Sequence, residues 1–126
     1  MTRVLLIDDE RLVRTTLGTA LRNAGHEVLL AADGNEGLSL FESEGADIVV
    51  TDIIMPDKEG IETIMQLRRS SPGLPIIAIS GGGRTSNFEF LGLAERLGAT
   101  RTLKKPFRSR ELLDLIEECM AERPPS

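Results

Sequence analysis

The chain has 126 residues, a hydrophobic fraction of 40% and a formal net charge of −5. This length suits a single domain with its own core, and no apolar run approaches the roughly 18 residues of a membrane span. The acidic balance argues against direct nucleic-acid binding, which needs a basic surface. The start of the chain lacks a signal-peptide pattern, and the single Cys119 cannot form an internal disulfide. We therefore expect a cytoplasmic protein with no membrane segment.

Short apolar runs alternate along the chain with longer amphipathic segments. In chain order the pattern predicts strand Val4–Ile7, helix Arg11–Ala24, strand His26–Ala32, helix Asn35–Glu44, strand Asp47–Thr51, helix Ile61–Arg69, strand Ile76–Ser80, helix Asn87–Leu97, strand Thr100–Leu103 and helix Ser109–Met120. This alternation predicts an α/β domain over residues 1–121 with a parallel sheet and right-handed crossovers. Residues 122–126 are expected to form a short Pro-rich tail. Runs such as IVV and IIAI are typical of strands that are covered on both faces.

Polar side chains follow the predicted strands at their carboxyl ends, where open parallel sheets bind ligands. Asp8 and Asp9 follow the first strand, and Asp52 follows the third. Ser80 ends the fourth strand, and the fifth leads to Lys105. Clustered carboxylates repel one another unless a cation intervenes, and Mg²⁺ favours oxygen ligands together with phosphate oxygens. Because an aspartate can attack phosphorus, this edge predicts Mg²⁺-dependent phosphoryl chemistry.

Four pieces of the sequence, in this order and at this spacing, together resemble the response-regulator receiver family. They are VLLIDD, IVVTDIIMP with Gly60 four residues later, IIAIS and KKPF. The resemblance covers nearly the whole chain. It implies a flavodoxin-like doubly wound (βα)5 sandwich, with a five-stranded parallel sheet in the order 2-1-3-4-5. It also implies a cis peptide bond between Lys105 and Pro106.

The resemblance also implies a role for each polar residue at this edge. Asp52 would be the phospho-acceptor, Ser80 the switch hydroxyl and Lys105 the family lysine. The ligands of Mg²⁺ would be Asp8, Asp9, Asp52 and the backbone carbonyl of Ile54. The phosphoryl donor would be a sensor histidine kinase or a histidine phosphotransfer protein. Such a chain is not an enzyme in the usual sense, because it catalyses only its own phosphorylation and dephosphorylation.

The expected output is a phosphorylation-dependent change of shape that is read by another protein. Because nothing after Pro125 could form an output domain, we expect a stand-alone regulator or a phosphorelay intermediate, although a domain excised from a longer protein would look the same. It would be a monomer or a weak, phosphorylation-dependent dimer. In the predicted helix Asn87–Leu97, Phe88 and Leu91 lie nearly opposite the buried face, which predicts a surface for a downstream target. The alternative is a rotated or later helix that buries Phe88.

Several other interpretations compete with this one. A haloacid dehalogenase-type phosphohydrolase would need a second aspartate where Ile54 stands, and a flavin carrier would need a small polar loop where Asp8 and Asp9 stand. A degenerate receiver would lack part of the site set. Taken alone, Asp8–Asp9 could be an N-cap pair and Asp52 a turn residue. Gly81–Gly83 is interpreted as a flexible loop, and Cys119 as a core residue.

Overall fold

The structure is a computed structural model that describes residues 2–53, 59–80, 92, 95–96 and 98–122. Its strands are β1 (Arg3–Ile7), β2 (Glu27–Ala31), β3 (Ile48–Asp52), β4 (Ile76–Ser80) and β5 (Arg101–Lys104). Its helices are α1 (Arg11–Asn23), α2 (Gly34–Glu44), α3 (Glu59–Ser70) and, here numbered α4, Ser109–Glu122. These bounds lie within two residues of the predicted ones. The predicted helix Asn87–Leu97 lies largely outside the described residues.

The five strands form one sheet in the order β2-β1-β3-β4-β5, and all four neighbouring pairs are parallel. β1 lies between β2 and β3, where Leu5 is opposite Leu29 of β2 on one side and Val49 of β3 on the other. The predicted fold class and strand order are therefore confirmed. No helix in the described ranges is both long enough and apolar enough to cross a membrane.

The sheet is covered on both faces, because successive side chains of each strand point in opposite directions. On one face Leu5 and Ile7 of β1 join a cluster with Ile64 and Leu67 of α3. On the other face the cluster is built by β1, β3, β4, α1 and α4, from Val4, Leu6, Leu17, Leu21, Ile48, Val50, Ile77, Ile79, Leu112, Ile116 and Cys119. The prediction that Cys119 belongs to the core is confirmed.

Two details of the predicted helices are corrected by the structure. The predicted helix Arg11–Ala24 includes Ala24, but α1 ends at Asn23, and Ala24 is its exposed C-cap. The last helix includes Glu122, the first residue of the predicted tail. Both differences concern helix ends, where local sequence is a weak guide.

The start of α3 approaches the end of β3 so closely that only a glycine fits at position 60. A Cβ atom on Gly60 would lie 2.5 Å from the carbonyl oxygen of Asp52 and 2.5 Å from the Cα of Ile53. Both are backbone atoms, so no side-chain rotation could relieve the contact. Gly60 is the last residue of the second of the four sequence pieces that resemble the receiver family, and its role here is to let the helix lie against the strand end that carries Asp52.

We expect Gly60→Ala to lower the free energy of unfolding by about 1–3 kcal/mol, as other overpacked substitutions do. Alanine is the better helix former, so the loss would come from the backbone clash and not from helix propensity. Urea denaturation measures the change. Gly73→Ala is the control, because a Cβ on Gly73 would meet nothing within 4 Å. Equal stabilities of the two variants would contradict the close approach.

Candidate functional site

The predicted polar residues stand at one edge of the sheet. Asp8 directly follows β1, Asp52 and Ser80 are the last residues of β3 and β4, and Lys105 directly follows β5. Backbone hydrogen bonds continue the sheet up to these positions. The Asp8 amide donates to the carbonyl of Ala31 at 3.1 Å, and the Lys105 amide donates to that of Ser80 at 2.8 Å. The backbone at the site is therefore held as firmly as the strands are.

Four carboxylates gather at this edge. Asp8, Asp9, Glu10 and Asp52 each offer an oxygen, and these oxygens lie within 4.8 Å of one another. Asp8 and Asp52 are 1% and 3% exposed, while Asp9 and Glu10 are exposed. Glu10 was not predicted as a site residue. The only signal for it in the sequence was the unbroken run of three acids, Asp8–Glu10.

Lys105 connects the two buried carboxylates. Its Nζ lies 3.3 Å from Oδ2 of Asp8 and 3.3 Å from Oδ2 of Asp52, and 3.7 Å from Oε1 of Glu10. Burial by itself would lower the pKa of Lys105, but the charges of Asp52 and Asp8 outweigh burial, and the pKa is raised. The side chain of Lys105 is therefore a fixed positive charge at neutral pH.

The pKa of Asp8 is raised as well, but for a different reason. Burial is the largest influence on Asp8, and it raises the pKa of the carboxyl group. The Glu10 amide, which donates to Asp8 Oδ1 at 2.9 Å, and the ammonium group of Lys105 both favour the carboxylate, but they do not offset the burial. The ion pair therefore raises the pKa of Lys105 without lowering that of Asp8, because Asp8 is the more deeply buried partner.

The hydroxyl group of Ser80 is buried and has no hydrogen-bond partner. No other buried side-chain nitrogen or oxygen of the described residues lacks a hydrogen-bond partner in this way. An unsatisfied buried hydroxyl costs about 1–3 kcal/mol, so native proteins rarely keep one without a reason. A hydroxyl at this edge is available to donate to an oxygen of a bound ligand.

The alternative interpretation of Asp8–Asp9 as an N-cap pair is wrong. The N-cap of α1 is Glu10, which makes no side-chain cap hydrogen bond. By contrast, the N-cap of α2, Asp33, accepts a hydrogen bond from the Glu36 amide at 2.8 Å. The acids that follow β1 are thus free of the usual helix-start role, although Asp8 shapes its own turn through the Glu10 amide.

The donor set fits a hard divalent cation. It consists of carboxylate oxygens, which Mg²⁺ and Ca²⁺ prefer, and it contains more carboxylates than the ammonium group of Lys105 can neutralise. The expected carbonyl ligand Ile54 lies outside the described residues, and so do Phe88, Leu91 and the Gly81–Gly83 loop. The Lys105–Pro106 peptide bond is cis, as expected.

Comparison with known proteins identifies the family. Residues 4–117 match the response regulator receiver domain. The chain belongs to this receiver family. It is 40% identical over 111 residues to response regulator MprA of Mycolicibacterium vanbaalenii, and 36% identical over 111 residues to the alkaline phosphatase synthesis transcriptional regulatory protein PhoP of Bacillus subtilis. These matches cover 88% and 87% of this chain but 47% and 45% of the relatives. The receiver chain thus spans about half the length of the curated relatives it matches.

Solved structures of receivers superpose on this one. A CheY-like receiver domain protein from Methanospirillum hungatei is 31% identical, with a TM-score of 0.87 over 98% of this chain and 96% of that chain. A chemotaxis response regulator of Vibrio cholerae is 30% identical, with a TM-score of 0.83 over 94% of this chain and 98% of that chain. The acidic pocket of this receiver is of the kind that binds Mg²⁺ in the family.

We expect Asp8→Asn to stabilise the receiver in the absence of divalent cations. The pKa of Asp8 is raised in the folded state, so the ionised side chain at neutral pH weakens folding, and stability falls as the pH rises through the pKa. The gain should be on the order of 1 kcal/mol, or roughly 3–5 °C in melting temperature. It should shrink as the pH falls and vanish below the unfolded-state pKa of about 3.9, where aspartate is largely protonated in either state.

Thermal unfolding in EDTA at several pH values measures this effect. Asp114→Asn is the matched control, because Asp114 is exposed and pairs with Arg110 on the surface of α4. This control should move the melting temperature by much less. A melting temperature of Asp8→Asn at or below that of the unaltered chain would contradict the conclusion that the buried, ionised carboxylate of Asp8 lowers the free energy of unfolding.

Proposed function

We propose that this receiver accepts a phosphoryl group on Asp52 from a sensor histidine kinase or a histidine phosphotransfer protein, with Mg²⁺ bound. The observation that supports the proposal best is the Lys105 ammonium group, 3.3 Å from both Asp8 and Asp52. The buried carboxylate of Asp52 therefore lies beside a fixed positive charge. The hydroxyl group of Ser80, which has no hydrogen-bond partner, lies at the end of the neighbouring strand. This combination suits a group that must gain a phosphate and keep it bound.

In the proposed reaction, one carboxylate oxygen of Asp52 forms a bond to phosphorus while the phosphorus–nitrogen bond of the donor's phosphohistidine breaks. The electron pair of that bond stays on the imidazole nitrogen. The Lys105 ammonium group would bind one oxygen of the transferred group, and the Ser80 hydroxyl would donate to another. The reaction ends on the receiver itself, so its only catalysis is its own phosphorylation and dephosphorylation.

The metal ligands in this proposal are the carboxylates of Asp8, Asp9 and Asp52, together with the carbonyl of Ile54. When bound, Mg²⁺ would neutralise charge on the phosphoryl oxygens. A carboxylate oxygen of Glu10 lies within 4.8 Å of the oxygens of these three aspartates. Glu10 would therefore accept hydrogen bonds from water bound at this site. The likeness to the receiver family and the oxygen-only donor set support this assignment.

Phosphorylation of Asp52 predicts a strict dependence on both the residue and the cation. Acetyl phosphate or beryllofluoride should modify the unaltered chain only when Mg²⁺ is present, and Asp52→Asn should abolish modification. Intact-mass and peptide mass spectrometry measure the uptake and its position. Asp114→Asn, which removes an exposed acid far along the chain, should be modified normally. A phosphoryl group found on any residue other than Asp52 would overturn the proposal.

We propose further that the receiver signals through protein–protein contact, as a stand-alone regulator or a phosphorelay intermediate, with Phe88 and Leu91 in the contact surface. Its acidic charge and its likeness to a chemotaxis response regulator support this role. A second candidate role is the regulatory half of a DNA-binding protein, since relatives named transcriptional regulators are about twice as long. The cytoplasmic location remains a prediction.

A phosphotransfer profile separates the relay role from that of a terminal regulator. The chain is incubated with each phosphorylated histidine kinase of its organism, and then with each histidine phosphotransfer protein. Rapid transfer onward to a phosphotransfer protein supports the relay role. Transfer from one kinase without onward transfer supports a terminal regulator, and no transfer from any donor contradicts the proposed donor class.

A further inference from the structure

The first turn of α1 has an unusual distribution of charge. It contains Arg11 and Arg14 and no acidic residue, and its N-cap makes no side-chain hydrogen bond. The N-terminus of a helix carries a partial positive charge, so acids and not bases are favoured there. A local preference that is broken in this way often marks a residue kept for another purpose.

Arg14 closes the turn that carries the acids. Its Nη1 donates to the carbonyl oxygen of Asp8 at 2.6 Å, in a half-buried position. Its backbone amide donates to the carbonyl of Glu10 at 3.1 Å, and the Glu10 amide in turn donates to Asp8 Oδ1 at 2.9 Å. A single arginine is thus bonded to both ends of the turn Asp8–Glu10. Arg11, in the same helical turn, is exposed.

The hydrogen bond from Arg14 to the Asp8 carbonyl opposes the repulsion among the clustered carboxylates. Four of them lie within 4.8 Å of one another, so each repels the rest, and the turn would relax by moving its acids away from Asp52. Lys105 opposes that movement through the side chains of Asp8 and Asp52. Arg14 opposes it through the backbone of the turn, and so leaves the carboxylate oxygens available to a cation.

We infer that Arg14 is a positioning residue for the Mg²⁺ site, whose hydrogen bond to the Asp8 carbonyl holds the acidic turn in its metal-binding shape. This inference rests on the proposed function, which requires Mg²⁺ at these acids. The effect of Arg14 on Mg²⁺ binding would then be opposite to the effect expected from its charge. By charge alone Arg14 repels a cation, so its removal would strengthen Mg²⁺ binding. Through its hydrogen bond to the Asp8 carbonyl it holds the metal-binding carboxylates in place, so its removal weakens Mg²⁺ binding.

The experiment measures the dissociation constant of Mg²⁺ for the full chain. The chain has no Trp or Tyr, so the amide resonances of Asp9 and Glu10 are followed by NMR during a titration with magnesium chloride. Arg14→Met removes the guanidinium group but keeps an apolar stem, and should weaken Mg²⁺ binding by about tenfold, the lower end of effects seen for outer-shell groups. Arg14→Lys keeps the charge without the planar donor group and should weaken binding less.

Arg11→Met is the matched control, because it removes a charge from the same helical turn and should change the dissociation constant by less than about twofold. Unchanged or tighter Mg²⁺ binding by Arg14→Met would overturn the inference. So would a lower melting temperature in EDTA with unchanged Mg²⁺ affinity, since Arg14 would then only stabilise the fold. If Arg14→Met does not fold, the Arg14→Lys dissociation constant decides by the same criterion. Failure of the unaltered chain to bind Mg²⁺ would overturn the proposed function as well.

Discussion

Two buried carboxylates share one ammonium group, and the rest of the site is arranged around that contact. Asp8 and Asp52 come from neighbouring strands, but Lys105 follows β5, which is separated from β3 by β4. The lysine side chain must therefore reach past the end of β4, where Ser80 lies. An uncompensated charge in this position would cost several kcal/mol, and the Lys105 ammonium group supplies the counter-charge for the buried carboxylate of Asp52.

The apolar frame makes such an edge possible. Both faces of the sheet are packed with aliphatic side chains, and the buried charged groups, Asp8 and Asp52, lie at the carboxyl ends of their strands. Backbone hydrogen bonds extend to Asp8 and Lys105, beyond the strands themselves. The close approach of Gly60 to the backbone of Asp52 and Ile53 fixes the start of α3 against the same edge. Rigid positions allow like charges to be held close, which a flexible loop would not.

The receiver carries unfavourable features at this edge that the fold itself does not require. The pKa of Asp8 is raised by burial, the Ser80 hydroxyl has no partner, and the first turn of α1 is basic where an acidic turn would be favoured. Each feature weakens the isolated domain. The buried carboxylate and the serine hydroxyl are also the groups that a cation or a phosphoryl group would contact. This is a common relation between stability and function, in which a binding site keeps features that cost folding stability.

The alternation of apolar runs was enough to predict the parallel sheet and its elements to within two residues, because periodicity and strand burial are local properties of the sequence. The strand order, the cis bond and the roles of Asp52 and Lys105 came from the family resemblance. The sequence could not predict the place of Glu10 or Arg14, whose exposed or half-buried side chains leave no periodic signal. Nor could it predict that Asp8, although paired with Lys105, has a raised pKa. Those properties depend on distances between residues as much as 97 positions apart, and only the tertiary structure determines them.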